Sequence, residues 1–311
     1  MASQHGTAPE DRPIDEYVRK GIVIIDKPKG PTSHQVSAWV RNMVGAEKAG
    51  HGGTLDPNVS GVLPIAFEDS LKALQVLLLD TKEYVAIMKL HGQADKKHIE
   101  KVFEEFTGPI YQTPPVRAAV KRERRIRTIH EMELLESRAN SVLFRVVCES
   151  GTYIRTLCVD MGDALAVGGH MLELRRTRTA RFDEGHLVKM QELKDAFVAY
   201  HEEGDEKPLR SCVLPFERML DHLPKVFVKD SAVDAVCHGA DVAVPGINKI
   251  EGNFDKGDIV AVLSQKSEGI AIGEAKMPSS QILETKKGSA INLTRVFMAP
   301  GTYPMLWKRG Q

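Results

Sequence analysis

One acid, Asp56, lies in a segment unlike the chain around it: Ala49-Gly50-His51-Gly52-Gly53-Thr54-Leu55-Asp56-Pro57-Asn58-Val59-Ser60-Gly61-Val62-Leu63-Pro64. The glycines before the acid permit tight backbone turns and close approach of a ligand, and Pro57 stiffens the chain directly after it. A carboxylate held this way is presented with little side-chain freedom, which suits nucleophilic attack or proton transfer. Taken alone, an Asp-Pro in a glycine-rich loop reads as a turn. No Gly-Lys-Ser/Thr follows, so the segment is not a phosphate loop.

Two basic clusters could meet a polyanion. Residues 117–127 carry Arg117, Lys121, Arg122, Arg124, Arg125 and Arg127 against one acid, Glu123, and a second cluster holds Arg175, Arg176, Arg178 and Arg181. Each reads either as a solvated face or as a track for nucleic-acid phosphates. The chain as a whole is neutral, with 42 Lys+Arg against 42 Asp+Glu, so nucleic-acid binding has to rest on where the cations sit and not on their total. In a neutral chain, such concentration favours the phosphate track. The four cysteines, Cys148, Cys158, Cys212 and Cys237, show no CxxC spacing, which argues against structural zinc and for reduced thiols in an intracellular protein. The first residues contain no apolar core of a leader, and nowhere do eighteen apolar residues run together, so export and membrane spanning are not expected.

The acid needs a scaffold. At 311 residues two domains are the natural expectation. Residues 1–13, polar and with two prolines, read as a flexible arm. Gly21-Ile22-Val23-Ile24-Ile25 reads as a buried strand ending at Asp26-Lys27-Pro28, and Thr32 or Ser33 caps a helix with Val36, Val40 and Met43 on one face, stopped by Gly45. The segment 46–61 has neither helical nor strand periodicity and reads as a loop held by its neighbours. A helix with Leu71, Leu74 and Leu78 inward follows, then a strand over 83–90 with Tyr84, Ala86 and Met88 on one side. Asp95 opens a helix with Ile99, Val102, Phe103 and Phe106 together, stopped by Gly108-Pro109. Residues 115–148 read as three strands, Gly151-Thr152 opens a helix through Ile154, Leu157, Cys158, Met161 and Leu165, and a strand over 171–174 enters the second basic cluster. This order implies an α+β domain with a largely antiparallel mixed sheet flanked by helices. The polar stretch 201–208 reads as the linker. Beyond Val226 a helix over 231–238 and strands over 258–263, 269–275 and 294–298 imply a small β-rich module.

The loop string resembles the catalytic loop of the TruB family of pseudouridine synthases, whose pattern is close to Gly-Gly-Thr-Leu-Asp-Pro with Gly-Val-Leu-Pro downstream. Asp26-Lys27-Pro28 with Gly30 and Thr32-Ser33-His34, Lys82-Glu83-Tyr84, Gly151-Thr152-Tyr153-Ile154-Arg155 and the 170–177 stretch with Leu174-Arg175-Arg176 are similar to further family motifs, in the same order, so the resemblance spans about residues 20–180. It implies conversion of uridine to pseudouridine without a cofactor or metal. Asp56 would be the nucleophile, attacking either the ribose anomeric carbon or the uracil ring. Arg155 would keep it ionised in a dry pocket; otherwise it is a solvated residue near a helix start. Tyr84 would stack on the extracted base, although a strand tyrosine alone reads as core. Leu174 would wall the base pocket, and His51 would help hold the flipped-out nucleotide. Such extraction is a physical requirement, because a base inside a helix cannot be reached.

The C-terminal module resembles a PUA domain, a small RNA-binding β-barrel, and residues 223–233, 238–242 and Pro245-Gly246 are similar to dyskerin-type enzymes of archaea and eukaryotes. The implied organisation is the arm, a catalytic domain over 14–222 and a PUA domain over 223–307. The chain ends at Lys308-Arg309-Gly310-Gln311 without the lysine-rich tail of eukaryotic members, which favours an archaeal, cytoplasmic protein over a nucleolar one. The resemblance implies a box H/ACA guide RNA and a substrate RNA, ribosomal or transfer, as partners. It also implies a small bracing subunit, a β-barrel subunit aiding turnover and a kink-turn-binding subunit. Two rival readings are a standalone enzyme acting on the T-loop of tRNA and an RNA-binding assembly scaffold without catalysis. Intact Asp56, Tyr84 and Arg155 argue against the scaffold.

Overall fold

The computed structural model describes residues 5–114 and 121–305. The chain runs α1 (Ile14–Arg19), β1 (Gly21–Lys27), α2 (Ser33–Met43), β2 (Ala49–His51), β3 (Ser60–Phe67), α3 (Leu74–Leu79), β4 (Lys82–Leu90), α4 (Lys96–Phe106), β5 (Gly108–Gln112), β6 (Arg125–Arg138), β7 (Ser141–Cys148), α5 (Ile154–Ala164), β8 (Gly169–Thr179) and β9 (Phe182–Asp183). It continues through α6 (Met190–Glu203), α7 (Lys207–Cys212), β10 (Leu214–Pro215), β11 (Lys225–Val228), α8 (Asp230–Cys237), β12 (Val242–Ala243), β13 (Ile247–Glu251), β14 (Ile259–Leu263), β15 (Gly269–Ala275), α9 (Ser279–Glu284) and β16 (Ser289–Val296).

The strands form two sheets. The larger has the order β10-β1-β3-β8-β4-β7-β6-β5, with β2 added on β3 and β9 on β8. Every pairing in it is antiparallel except a short parallel meeting of β3 with β8 at Ser60 and Gly61, so the expected α+β architecture is the one observed. That parallel contact joins two halves. On one side α4 and α5 pack Phe103, Leu157 and Met161 against Phe144 and Met88 of the sheet; on the other, α1, α2 and α6 cover β1 and β3 through Tyr17, Val36, Val40 and Leu193. The second sheet, β12-β16-β15-β14-β11-β13, encloses Val226, Val260, Ile270 and Ile291 with Val233 of α8. A further apolar cluster spans both sheets, from Ile22 and Phe182 to Phe227 and Phe297, with Phe216 between them. No helix among the described residues is long and apolar enough to cross a membrane.

Local signals placed most elements correctly. Thr32 caps α2, accepting from Gln35 N at 3.1 Å while Gln35 reaches back to Thr32 N, a reciprocal capping box. Asp95 caps α4 from Lys97 N at 3.1 Å. Along β4 burial alternates strictly, with Lys82, Tyr84, Ala86, Met88 and Leu90 inward.

Five expectations differ. The segment 46–61, read as a loop, carries β2 and the first residues of β3, because Ala49–His51 add to the edge of β3 by backbone pairing, which needs no side-chain alternation. The arm is not loose: Arg12 is buried and forks onto Glu217 at 2.6 and 3.0 Å, while Thr7 N donates to Glu268 and Lys266 Nζ to Gly6 O. Its polar groups find partners on both sides of residue 223, at Glu217 and at Lys266 and Glu268. The 201–208 stretch is no linker but the turn from α6 to α7, ended by Gly204 in the left-handed region at φ 74°; Leu193 and Leu209 anchor both helices in the core, and polarity alone cannot distinguish an exposed helix turn from a domain joint. Within the described part of 115–148 there are two strands, and the third partner is β5, at the position read as a helix stop. Pro109 is tolerated there because β5 is the sheet's edge strand. The helix expected around Leu71 to Leu78 is a 3-10 turn followed by α3, because Ser70 Oγ draws the first turn tight, bonding Gly21 O at 2.7 Å and receiving Phe67 N. Leu77 faces inward and Leu78 outward.

Candidate active site

Asp56 lies at the tip of the loop between β2 and β3, where the two halves of the large sheet meet. The acid is flanked by two buried anchors, Leu55 and Val59, which insert into the same cluster as Tyr84, Ile154 and Leu174. Burial of these two side chains, worth roughly 1.5–3 kcal/mol each, pins both ends of the turn while leaving the carboxylate outside. Val59 N closes the turn on Asp56 O at 3.0 Å. Ser33, beyond the cap of α2, accepts from Leu55 N at 2.8 Å and donates to Leu55 O at 3.0 Å.

A buried lysine braces the other side. Lys27 at the end of β1 is 0% exposed, and its ammonium donates to Val59 O at 2.8 Å, Pro28 O at 3.0 Å and Pro57 O at 3.2 Å. Burial holds its pKa below the ordinary lysine value, with the Asp56 carboxylate pulling the other way. Gly30 N adds a bond to Pro57 O at 2.8 Å. In the sequence Lys27 and Ser33 stand within a motif that does not show what they do. Their roles depend on a contact between β1, α2 and a loop some thirty residues on.

Arg155, in the first turn of α5, pairs with Asp56 through Nη2 and Oδ2. A cation at a helix N-terminus opposes the helix dipole, so the position is explained by the carboxylate it meets. The two side chains are 52% and 53% exposed. The pocket expected to be dry is therefore open in the chain by itself, because Leu55 and Val59, and not Asp56, take the buried positions.

Tyr84 and Leu174 stand on the same side of adjacent strands. Tyr84 on β4 is paired in register with Arg176 of β8, and Ala86 with Leu174; both Tyr84 and Leu174 are buried. Burial raises the Tyr84 pKa above the ordinary phenol value, and Arg176 opposes that shift. His51 on β2 lies edge-on to His34, with ring centroids 4.9 Å apart. Both its ring nitrogens are buried without a hydrogen-bond partner among the described residues. Burial first, then His34 and Arg176, lower its pKa, so the ring is neutral at neutral pH.

The basic residues divide sharply. Arg176 corrects the phosphate-track reading: it is 1% exposed, and its guanidinium donates to Val62 O at 2.8 Å and Gly53 O at 3.1 Å, on the Asp56 loop. Strand alternation turns it inward beside Leu174. Two glycines make this possible: Gly53 has φ 121°, and at Gly61, φ 103°, a Cβ would lie 2.2 Å from Arg176 O. Arg175 is held by Asp26 at 2.9 Å and Glu184 at 2.6 Å, Arg178 by Glu83 at 3.3 Å, and Arg127 by Glu149 at 2.8 Å. Lys121 pairs with Glu123, and Arg122 donates to Pro114 O at 3.3 Å. Arg124 and Arg125 are exposed without a carboxylate partner among the described residues, and Arg124 lies 4.3 Å over the exposed Tyr111 ring. Arg117 is outside the described residues.

Comparison with known proteins agrees with this geometry. Residues 41–154 match the TruB family pseudouridylate synthase (N terminal domain), residues 155–221 the tRNA pseudouridylate synthase B C-terminal domain, residues 224–297 the PUA domain and residues 2–37 the DKCLD (NUC011) domain. A probable tRNA pseudouridine synthase B of Methanocaldococcus jannaschii is 52% identical over 98% of this chain and 91% of its own length. One of the same description from Archaeoglobus fulgidus is 51% identical over 98% and 94%. Among solved structures, a chain of a Cbf5-Nop10-Gar1 complex superposes with a TM-score of 0.91 at 48% identity, covering 97% of this chain and 92% of that one. A chain of an H/ACA RNP bound to a substrate RNA containing 2'-deoxyuridine gives 0.90 at 46% identity, covering 99% and 94%. The chain belongs to the TruB family of pseudouridine synthases, in the archaeal dyskerin-type branch that carries a PUA domain.

Proposed function

We propose that this chain is the catalytic subunit of a box H/ACA guide-RNA particle that converts uridine to pseudouridine in ribosomal RNA, with residues 14–222 as catalytic domain and 223–307 as RNA-binding domain. The observation that carries the reading is the Asp56 turn: an open carboxylate, paired with Arg155, on a loop braced by Lys27, Ser33 and Arg176. Asp56 attacks either the ribose anomeric carbon or the uracil ring. Both routes break the bond from ribose to N1, turn the ring, join the ribose to C5 and release the C5 proton, and both require an ionised acid beside a cation. Tyr84 and Leu174 form the floor and wall for the extracted base, and neutral His51 gains its missing hydrogen-bond partners from the nucleotide.

Dependence on a guide follows from what holds the RNA. Residues 91–95 pass from β4 directly into α4, with no inserted segment there to hold an RNA stem-loop. A misplacement of about 1 Å costs on the order of a hundredfold in rate, so positioning has to come from base pairing with a guide. The solved neighbours described as a Cbf5-Nop10-Gar1 complex and as an H/ACA RNP bound to a substrate RNA support an assembly of this chain with two such protein subunits and RNA; the kink-turn-binding subunit is carried by the family resemblance. A standalone tRNA activity is the second reading, favoured by the name tRNA pseudouridine synthase B given to the relatives. Single-turnover rates with matched guide, mismatched guide and no guide test the first against the second. The matched guide alone should support efficient modification, and Asp56→Asn should abolish it with RNA affinity unchanged; equal rates in all three would overturn guide dependence.

A further inference from the structure

Arg176 is a fully buried guanidinium with no carboxylate within ion-pair distance among the described residues. Burying a cation without a counter-charge costs several kcal/mol, and a core position facing Leu174 is met more cheaply by an apolar side chain. What Arg176 does with its donors accounts for its presence. Nε and Nη2 go to Val62 O and Gly53 O, either side of Asp56 along the loop. Tyr84 is paired with Arg176 directly across the two strands, and the guanidinium opposes the burial-driven rise of the phenol pKa. One rigid planar group thus bonds the segment that carries Asp56 and stands opposite the ring on which the base is expected to rest.

A guanidinium can only donate, so a hydrogen bond between the two makes the Tyr84 oxygen the acceptor and sends its own proton elsewhere. Tyr84 is flanked on β4 by Lys82, whose ammonium is spent on Leu77 O and Asp80 O at 2.7 and 2.8 Å. Burial keeps the phenol protonated at neutral pH.

We propose that Arg176 is a positioning residue that fixes the Asp56 loop relative to Tyr84 and turns the Tyr84 hydroxyl into a hydrogen-bond donor aimed at the extracted nucleotide. This rests on the pseudouridine synthase reading of the site and deepens it: Asp56 is not positioned by its loop alone, and Tyr84 is a platform with an oriented proton. Lysine at position 176 keeps the charge but cannot span both groups as a planar fork.

The test compares the full chain, Arg176→Lys, Tyr84→Phe and the double variant, each assembled with guide RNA and accessory subunits. Single-turnover rate and substrate-RNA affinity are measured for each. Arg176→Lys is expected to slow modification by about a hundredfold, as for a misplaced reacting group, with affinity and its salt dependence unchanged. The double variant should be no slower than the slower single variant, because the two changes break one unit. Losses that multiply fully would overturn the link through Tyr84, and a weakened affinity with a flatter salt slope would make Arg176 a phosphate contact instead. Should Arg176→Lys fail to fold, 3,5-difluorotyrosine at position 84 in an otherwise unchanged chain tests the donor. In mildly acid buffer, where the phenol stays protonated, the rate should shift with its acidity, and an unchanged rate overturns the proposal. A parent assembly inactive on every guide-matched uridine would sink the function itself, whereas an active parent with an unaffected Arg176→Lys sinks only this inference.

Discussion

Replacing Lys27 with methionine removes the ammonium from beneath the Asp56 turn and keeps an unbranched side chain in its place. Two of its three hydrogen bonds hold Pro57 O and Val59 O, immediately after the acid, at 3.2 and 2.8 Å. Hydrogen bonds to a charged group contribute roughly 1.5–3 kcal/mol each, so the three together amount to about 4–9 kcal/mol gross. Against this stands the cost of keeping an ammonium out of water, several kcal/mol, which is the same burial that lowers the Lys27 pKa. The difference leaves a net stability loss of about 1–3 kcal/mol, ordinary for a core substitution. The catalytic loss is expected to be larger than that modest figure implies. With Val59 O unbonded and Pro57 O held by Gly30 N alone, the turn relaxes around its remaining anchors, Gly30, Leu55 and Ser33. A shift of about 1 Å in the carboxylate slows the chemical step on the order of a hundredfold, which is about 2.7 kcal/mol on the barrier. Single-turnover modification of a guide-matched uridine measures this, with urea unfolding and RNA affinity recorded on the same preparation. RNA affinity should not change, since Lys27 is buried. A folded variant whose rate stays within about threefold of the parent, under 1 kcal/mol on the barrier, refutes the view that Lys27 positions the nucleophile.

Reversing Arg124 and Arg125 to glutamate should weaken RNA binding and flatten its dependence on salt by about 0.7–0.9 in log–log slope for each phosphate no longer neutralised, because these two cations are exposed and have no carboxylate partner among the described residues; an unchanged slope in a salt titration would make them a solvated face. Arg12→Met leaves Glu217 buried without its fork and should cost about 3–5 kcal/mol in urea unfolding, with earlier proteolysis of the arm; a midpoint equal to the parent's would show the docking to be incidental. Lys82 is buried and its pKa is lowered to about 8 by desolvation, with Arg176 adding to the shift. Between about 8 and the unfolded lysine value of about 10.4, the unfolded chain binds more protons, so the stability of the parent relative to Lys82→Met should rise with pH across that window. Cys158 and Cys237, raised to about 12 by burial, act in the opposite direction but equally in both proteins; a difference that stays flat with pH would mean that Lys82 keeps its proton.

How much was legible depended on the range over which each signal acts. The caps at Thr32 and Asp95, the alternation through Tyr84, Ala86 and Met88, and the helical register of Ile154, Leu157 and Met161 could be read because each is set by residues within one or two turns of one another. The order of elements was enough to give a mixed, largely antiparallel sheet. The loop string marked Asp56, and the motif after it marked Arg155, although spacing in sequence could not show that residues 99 positions apart would meet.

What the tertiary structure alone decided is the use made of each charge. Arg175 and Arg176 are neighbours in a basic run and look alike in sequence. Strand alternation puts them on opposite faces, so Arg175 meets Asp26 and Glu184 at the surface while Arg176 enters the core to bond Gly53 and Val62 on either side of Asp56. The polar arm became a buried Arg12–Glu217 fork, and the polar stretch 201–208 became a helix turn, for the same reason. Periodicity and capping are local properties that a chain carries with it, whereas burial and the partner of a charge are fixed only when segments distant in sequence are brought together.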